Sequence, residues 1–220
     1  MTPFEITARW TVPTPLHLGT GLSHAGVADR TIRRDAAGLP IIPGDAVKGA
    51  IRSLAERAVR WLGPDTRPES EDDSRPTHPA LRRIFSPAHY APQYRFPAAV
   101  HQHGGQLCSL ASTAIDLGSG VAKNETLRVT ESWSAGATFA VRIAGRGGAW
   151  HRPDSPDYLD LVLLLTALVS LDAIGGRKGT GQGSLQISAL AITPVELPNL
   201  ADPVLLARLQ TSLLQEAHYA

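Results

Sequence analysis

Cysteine occurs once, at Cys108, in 220 residues. A single thiol excludes an internal disulfide framework and fits a reducing compartment, so the cytoplasm is the expected location. Aromatic residues make up only 5% of the chain, and neither sign of charge dominates: 21 Lys and Arg against 20 Asp and Glu leave a net +1. That balance argues against nucleic-acid binding through bulk charge and leaves local basic faces as the electrostatic route. The best membrane candidate, 158–174, is short and carries Asp160, Thr166, Ser170 and Asp172, so it reads as a buried helix and no membrane contact is expected. The opening MTPFEITARW has no basic start followed by an apolar h-region, so it does not read as a secretory signal. There is no internal repeat and no G-x-S-x-G hydrolase signature.

At 43% hydrophobic, the chain has material for a real core, and its length suits one domain, 1–220, with insertions. Residues 4–12 alternate: Phe4, Ile6, Ala8, Trp10 and Val12 share one face of a half-buried strand. A loop of about thirty residues follows, long enough to be functional or partly structured. A helix is expected from Asp45 as N-cap, with Val47, Ala50, Ile51, Leu54, Ala55, Ala58, Trp61 and Leu62 at helical spacing. Gly49 inside it suggests close backbone approach. Residues 63–80 are rich in proline and charge and read as a flexible insertion. LRRIF (81–85) suggests a short helix. Leu127, Val129 and Trp133 alternate, as do Phe139, Val141 and Ile143, and Ser134-Ala135-Gly136 can turn between them, which predicts a hairpin. A helix over 158–173, a strand from Leu185 and a C-terminal helix over 202–217 complete the chain, the last capped by Asp202 with Pro203 at its first position. The order is βαββαβ, an α+β ferredoxin-like pattern with long insertions.

Between the last two of these elements lies GGRKGTGQGSLQIS (175–188), with glycines at 175, 176, 179, 181 and 183 around Arg177 and Lys178. Both familiar phosphate loops run from strand to helix, whereas this one runs from helix to strand. The remaining reasons for so much glycine are unusual dihedrals, close packing and close approach of a ligand.

Three stretches, in order, resemble the RAMP superfamily of type III CRISPR effector complexes. DRTIRRDAAGLPIIPGDAVKGAIRSLAE (29–56) is similar to that family's aspartate-containing loop leading into an I-P-G-S-S-L-K-G-x-x-R helix start. STAIDLGSGVAKNETLRVTESWSAGATFAVRI (112–143) is similar to its I-D-R-x-T-G-x-A…E-x-V-x-x-G-x-x-F segment. LDAIGGRKGTGQGSLQIS (171–188) resembles its glycine-rich loop. The likeness spans most of residues 5–190. It departs from the family pattern at Asp45-Ala46, where the family has paired serines. Asp116-Leu117 stands for its Asp-Arg, and Ile84-Phe85-Ser86 for its Leu-Phe-Gly.

The resemblance implies a modified RRM-like fold in a backbone subunit stacked along crRNA. Its expected partners are crRNA, target RNA, copies of itself, other RAMP subunits, and the large and small effector subunits. It implies a thumb-like hairpin near 112–133. It also implies RNA contacts through Lys48, Arg52, Gly175, Gly176, Arg177, Lys178, Gly179, Gly181 and Gly183. Lys48 and Arg52 lie near a helix N-terminus, where anions are favoured. Glycine lets phosphates approach backbone N–H groups, and Arg177 and Lys178 add charge-assisted contacts.

Asp29 matches the loop aspartate with which cleaving members cut bound target RNA, as a base or as a ligand of Mg²⁺. Asp35 precedes A-G-L-P, as a turn residue would. The alternatives are a non-cleaving structural or cap subunit, or a crRNA-processing endoribonuclease with His24 as base. His101, His103 and Cys108 have no fourth ligand at a zinc spacing, which favours ordinary histidines.

Overall fold

The computed structural model describes residues 2–23, 25, 28–62, 78–85, 93–147, 149–153, 155–194 and 196–217. In chain order the elements are β1 (Thr2–Val12), β2 (Ile41–Ile42), α1 (Gly44–Leu62), α2 (Pro79–Ile84), β3 (Tyr94–Arg95), β4 (Ala99–His103), β5 (Leu107–Ser112), β6 (Arg128–Trp133), β7 (Ala137–Gly147), α3 (Pro156–Val169), β8 (Gln186–Thr193) and α4 (Pro203–Ala217).

The main sheet has the order β2-β4-β7-β1-β8, with β3 on the far part of β7. Its ladders are antiparallel. Taking β1, α1, β4, β7, α3 and β8 as the βαββαβ set, each helix connects two strands that flank a third, which is the ferredoxin-like arrangement.

The alternation in β1 sets the inner face. Ile6 lies opposite Ile143, Ala8 opposite Val141 and Trp10 opposite Phe139, and all six are buried. Val47, Ile51, Ala55 and Val59 of α1 join this core, with most of α3 and with Leu205, Leu209 and Leu213 of α4. Each large apolar side chain so covered contributes about 1.5–3 kcal/mol of transfer free energy. Caps set two helix starts. The Ser155 hydroxyl accepts the Tyr158 N–H at 3.1 Å, and the Asp202 carboxylate accepts the Val204 N–H at 2.9 Å.

Several expectations change. The strand at 128–133 does not form a hairpin with 137–147. β6 pairs with β5 in a separate two-stranded sheet, while β7 pairs with β4 and β1. The Ser134–Gly136 turn exists, but it carries the chain from one sheet to the other. The α1 helix begins one residue earlier than Asp45, at Gly44, with the Val47 N–H on the Pro43 carbonyl at 3.0 Å. Trp61 is 86% exposed, so it lies off the core stripe. A Cβ at Gly49 would meet nothing within 4 Å, so no close approach explains this glycine. Residues 63–77 lie outside the described residues. His78–Ala80, assigned to the same insertion from sequence, belong to ordered structure: His78 is buried and caps α2, its Nδ1 accepting the Ala80 N–H at 3.2 Å.

One ion cluster ties the helical layer together. Arg83 of α2 makes a two-pronged bond to Asp160 of α3, at 2.6 and 2.8 Å, and reaches both oxygens of Glu216 of α4 at 2.9 Å. The Asp160 side chain is 2% exposed. Burial pushes its carboxyl up to about 7, against the pull of Arg83. Burial also opposes the charge on Arg83, but the two carboxylates outweigh it and raise its pKa.

Candidate nucleic-acid interface

The glycine loop follows α3 and closes on itself. The Ile174 N–H donates to the Gly183 carbonyl at 2.8 Å, and Lys178–Thr180 form a single 3-10 turn. Two glycines here have packing tasks. A Cβ on Gly183 (φ +72°) would lie 2.0 Å from the Ile174 carbonyl, and one on Gly175 (φ +92°) 2.6 Å from the His17 carbonyl. Gly179 is different: it is exposed and a Cβ there would meet nothing within 4 Å. Arg177, a long side chain at φ +61°, sits in the left-handed region at a cost of about 1 kcal/mol or more. Its guanidinium turns toward the Ser112 hydroxyl of β5, 3.4 Å away.

The segment after β1 stitches this loop to the β5–β6 hairpin. On one side the Gly176 N–H donates to the His17 carbonyl at 2.9 Å and the Gly183 N–H to Pro15 at 2.8 Å. On the other, Leu16 and Trp133 of β6 exchange both backbone bonds at 2.8 Å. His17 is buried, and its Nδ1–H donates to the Glu131 carbonyl at 2.7 Å, which fixes the tautomer.

Asp29 lies farther along the same edge of β6. Its N–H donates to the Val129 carbonyl at 2.9 Å, and its Oδ2 accepts the Val129 N–H at 2.7 Å. The residue is exposed. Next to it, the Glu131 N–H donates to the Arg30 carbonyl at 2.9 Å. The Glu131 carboxylate, 9% exposed, accepts the Ile32 N–H at 3.1 Å and pairs with Arg34 at 2.8 Å. Glycine loop, residues 15–17, β6 and Asp29 therefore form one hydrogen-bonded framework, buried at Leu16, His17 and 130–133 and exposed at its two ends. Arg30 and Arg128, next in sequence to Asp29 and Val129, are both exposed.

The other expected residues are placed as follows. A cleft of about 360 Å³ separates α1 from the glycine loop, and Gly49, Gly175, Arg57 and Lys178 are among its lining. Lys48 and Arg52 are not in that lining, and Arg52 pairs with Glu56 at 2.7 Å. Asp35 is committed to a turn, its Oδ1 accepting the Ala37 and Leu39 N–H groups at 2.9 Å. Asp116 closes the hairpin tip on Ser119 and Gly118, and the Ser119 N–H is the main cause that lowers its pKa. Beside it, Ile115, Leu117, Val121 and Leu127 leave an exposed apolar tip.

His24 lies outside the described residues. His101 turns to the Gly104 carbonyl and Cys108 to Ser132. Among the described residues no three His, Cys, Asp or Glu side chains are grouped to hold a metal. Asp29 alone therefore fits Mg²⁺ only where RNA phosphate and water complete the shell, the usual habit of that ion.

Sequence reading missed His17, Glu131 and Arg57. Glu131 had a signal: it is the one charged residue on the alternating face of Val129 and Trp133.

Residues 10–186 match the family model described as "RAMPs: RAMP superfamily". The chain belongs to the RAMP superfamily. The matched span holds the glycine loop up to the start of β8, Asp29, α1 and the whole β5–β6 hairpin. A curated relative, "CRISPR system Cms endoribonuclease Csm3" of Mycobacterium tuberculosis (strain ATCC 25618 / H37Rv), is 39% identical over 88 residues, 37% of this chain. The match covers 34% of that protein's length. Two solved structures share the fold. One, from the apo state of the type III-B Cmr-beta complex, has TM-score 0.56 at 12% identity, covering 84% of this chain and 96% of its own. The other, from type III-B Cmr-beta bound to cognate target RNA, has TM-score 0.59 at 14% identity, covering 86% and 60%. Among the described residues no helix of this RAMP protein is long and apolar enough to cross a membrane.

Proposed function

We propose that this chain is a crRNA-binding backbone subunit of a type III CRISPR ribonucleoprotein, that copies of it stack along the guide beside other effector subunits, and that Asp29 cuts bound target RNA. The observation that carries this reading is the hydrogen-bonded framework that runs from glycine loop to Asp29. It sets an open Gly179 and the cations Arg177 and Lys178 at one end and an exposed carboxylate at the other. The β5–β6 hairpin rises beside it as the thumb, and its apolar tip suits insertion between nucleic-acid strands.

Cleavage needs a 2′-hydroxyl oxygen to attack the adjacent phosphorus. The P–O5′ bond breaks as the new P–O2′ bond forms, and the departing O5′ takes a proton from water, leaving a 2′,3′-cyclic phosphate and a 5′-hydroxyl end. Asp29 supports this either by accepting the 2′ proton or by holding Mg²⁺, which would offset charge on the phosphate. The Val129 N–H orients the carboxylate through Oδ2 on an exposed residue, and Oδ1 would serve for either task. The same bond also favours a second reading, in which Asp29 only ties the loop to the thumb and the subunit is a non-cleaving one.

The binding half of the proposal is tested by a variant with Lys48, Arg52, Arg177 and Lys178 all changed to alanine. Affinity for single-stranded RNA is expected to fall, and the slope of log K against log salt to shrink by about 0.7 for each phosphate no longer neutralised. An unchanged slope in a variant with wild-type circular dichroism contradicts RNA binding through these residues.

A further inference from the structure

The outer face of the main sheet carries a second regular feature. Along β7 the outward positions are 140, 142, 144 and 146, because 139, 141, 143 and 145 face the core partners of β1. Arg9 of β1 lies opposite Ala140, Arg142 stands at the next step, Arg95 of β3 lies opposite Ala144, and Arg146 follows. One arginine therefore accompanies every outward step of β7. Two residues of strand advance about 7 Å, so the four backbone positions step regularly along β7, with Arg9 and Arg95 one strand to either side.

All four are exposed. The structural arginines of this protein hold carboxylates: Arg34 holds Glu131, Arg52 holds Glu56, and Arg83 holds Asp160 and Glu216. No carboxylate pairs with the four in the row among the described residues, although half-buried Glu5 shares their face. Between them the face carries the small neutral residues Thr7, Ala140, Ala144, Ser188 and Ala191, and one carboxylate, Glu5, opposite Ala144. Along β1, β7 and β8 its positions hold no aromatic ring, so the base-stacking used by RRM sheets with aromatic platforms has no means within the row.

We propose that this arginine row is a further RNA-binding surface, which takes the phosphodiester backbone of a single strand by charge and without reading sequence. It rests on the RNA-binding reading above and extends it to a face that reading does not use. The spacing matches successive phosphates of an extended strand, and exposed guanidiniums bind phosphate in a two-pronged fashion. The row is continuous with the candidate site. Arg9 also lies opposite Ser188 in β8, and the glycine loop enters β8 only a few residues earlier. A strand leaving that loop can run down the sheet past a single carboxylate, half-buried Glu5, which four arginines outnumber.

The test compares two double variants of equal charge change, R142Q/R146Q on the row and R60Q/R208Q on the helices, with a labelled 30-nucleotide oligouridylate titrated across a range of KCl. The row variant is expected to lose about 1.4 from the salt slope, at about 0.7 per neutralised phosphate, with an unchanged melting temperature. The helix variant is expected to keep the wild-type slope. Equal losses in the two doubles would show general charge attraction and overturn the proposal. An unchanged slope in R142Q/R146Q would also overturn it. So would impaired self-association at unchanged RNA binding, which would assign the face to an acidic protein surface. If the row variant is silent while the Lys48, Arg52, Arg177 and Lys178 variant loses binding, only this inference fails. If wild-type protein shows no salt-dependent binding of the probe, the RNA reading fails with it.

Discussion

Asp29→Ala, in an assembled complex, is expected to keep guide and target affinity while target cutting falls by at least ~100-fold. The scissile phosphate is already negative, so a carboxylate beside it gives nothing to ground-state binding. Its contribution appears only as the 2′ oxygen loses its proton or through a bound cation, and a substitution of that kind lowers rate without raising the binding constant. The Oδ2 bond to Val129 makes Asp29→Asn the informative companion, because the amide oxygen can keep that hydrogen bond while the charge is gone. Loss of cutting in both variants with retained binding assigns the charge a chemical role. Loss in Asp29→Ala with full activity in Asp29→Asn assigns only the tie to β6. Chelation of Mg²⁺ separates the remaining pair of roles: cutting that survives chelation leaves Asp29 as base, and cutting that stops supports it as a metal ligand.

The second large effect lies far from this site. Arg83→Ala is expected to destabilise the fold by about 3 kcal/mol, because it strands the Asp160 carboxylate in the interior. For a chain of this size the melting temperature should drop by on the order of 10 °C. The pH dependence has a definite sign. Asp160 titrates higher in the fold, at about 7, than in the unfolded chain. Its protonated form therefore favours folding below the ordinary carboxylate range, and that contribution is lost as pH rises through about 7. Without Arg83 the carboxyl has still more reason to stay protonated. The stability gap between wild type and Arg83→Ala should be widest near pH 8 and narrow toward pH 5, as read by thermal melts across that range. A gap independent of pH would contradict the stranded-carboxylate account.

Much of this was legible in the chain because local pattern and tertiary role agreed. The alternation of Phe4 to Val12 is set by one buried face, and Asp202-Pro203 is a local cap signal that tertiary contacts do not override. The β5–β6 pair was less legible. Leu127 to Trp133 and Phe139 to Ile143 flank a good turn, which is what a simple hairpin looks like, yet β6 pairs with β5 about twenty residues upstream, and β7 with β4 about forty upstream and with β1 at the start of the chain. Strand β4, Ala-Val-His-Gln-His, is a short strand between β2 and β7 without clean alternation, so nothing local announced it. The glycine loop was visible from composition, but which glycines serve packing and which stand open depends on His17 and Ile174 carbonyls that only the fold brings near. Arg83, Asp160 and Glu216 are ordinary helix-surface residues in sequence. Their pairing is a property of how α2, α3 and α4 meet.

The central claim is that this chain is a repeated RNA-gripping subunit. It is tested most directly by purifying the chain under native conditions from cells that carry its CRISPR locus, then measuring the mass of the intact complex and the length of any RNA within it. The account predicts a short RNA of defined length with several copies of this chain bound along it. A complex with no RNA, or a chain that remains a lone monomer beside free guide RNA, would contradict it.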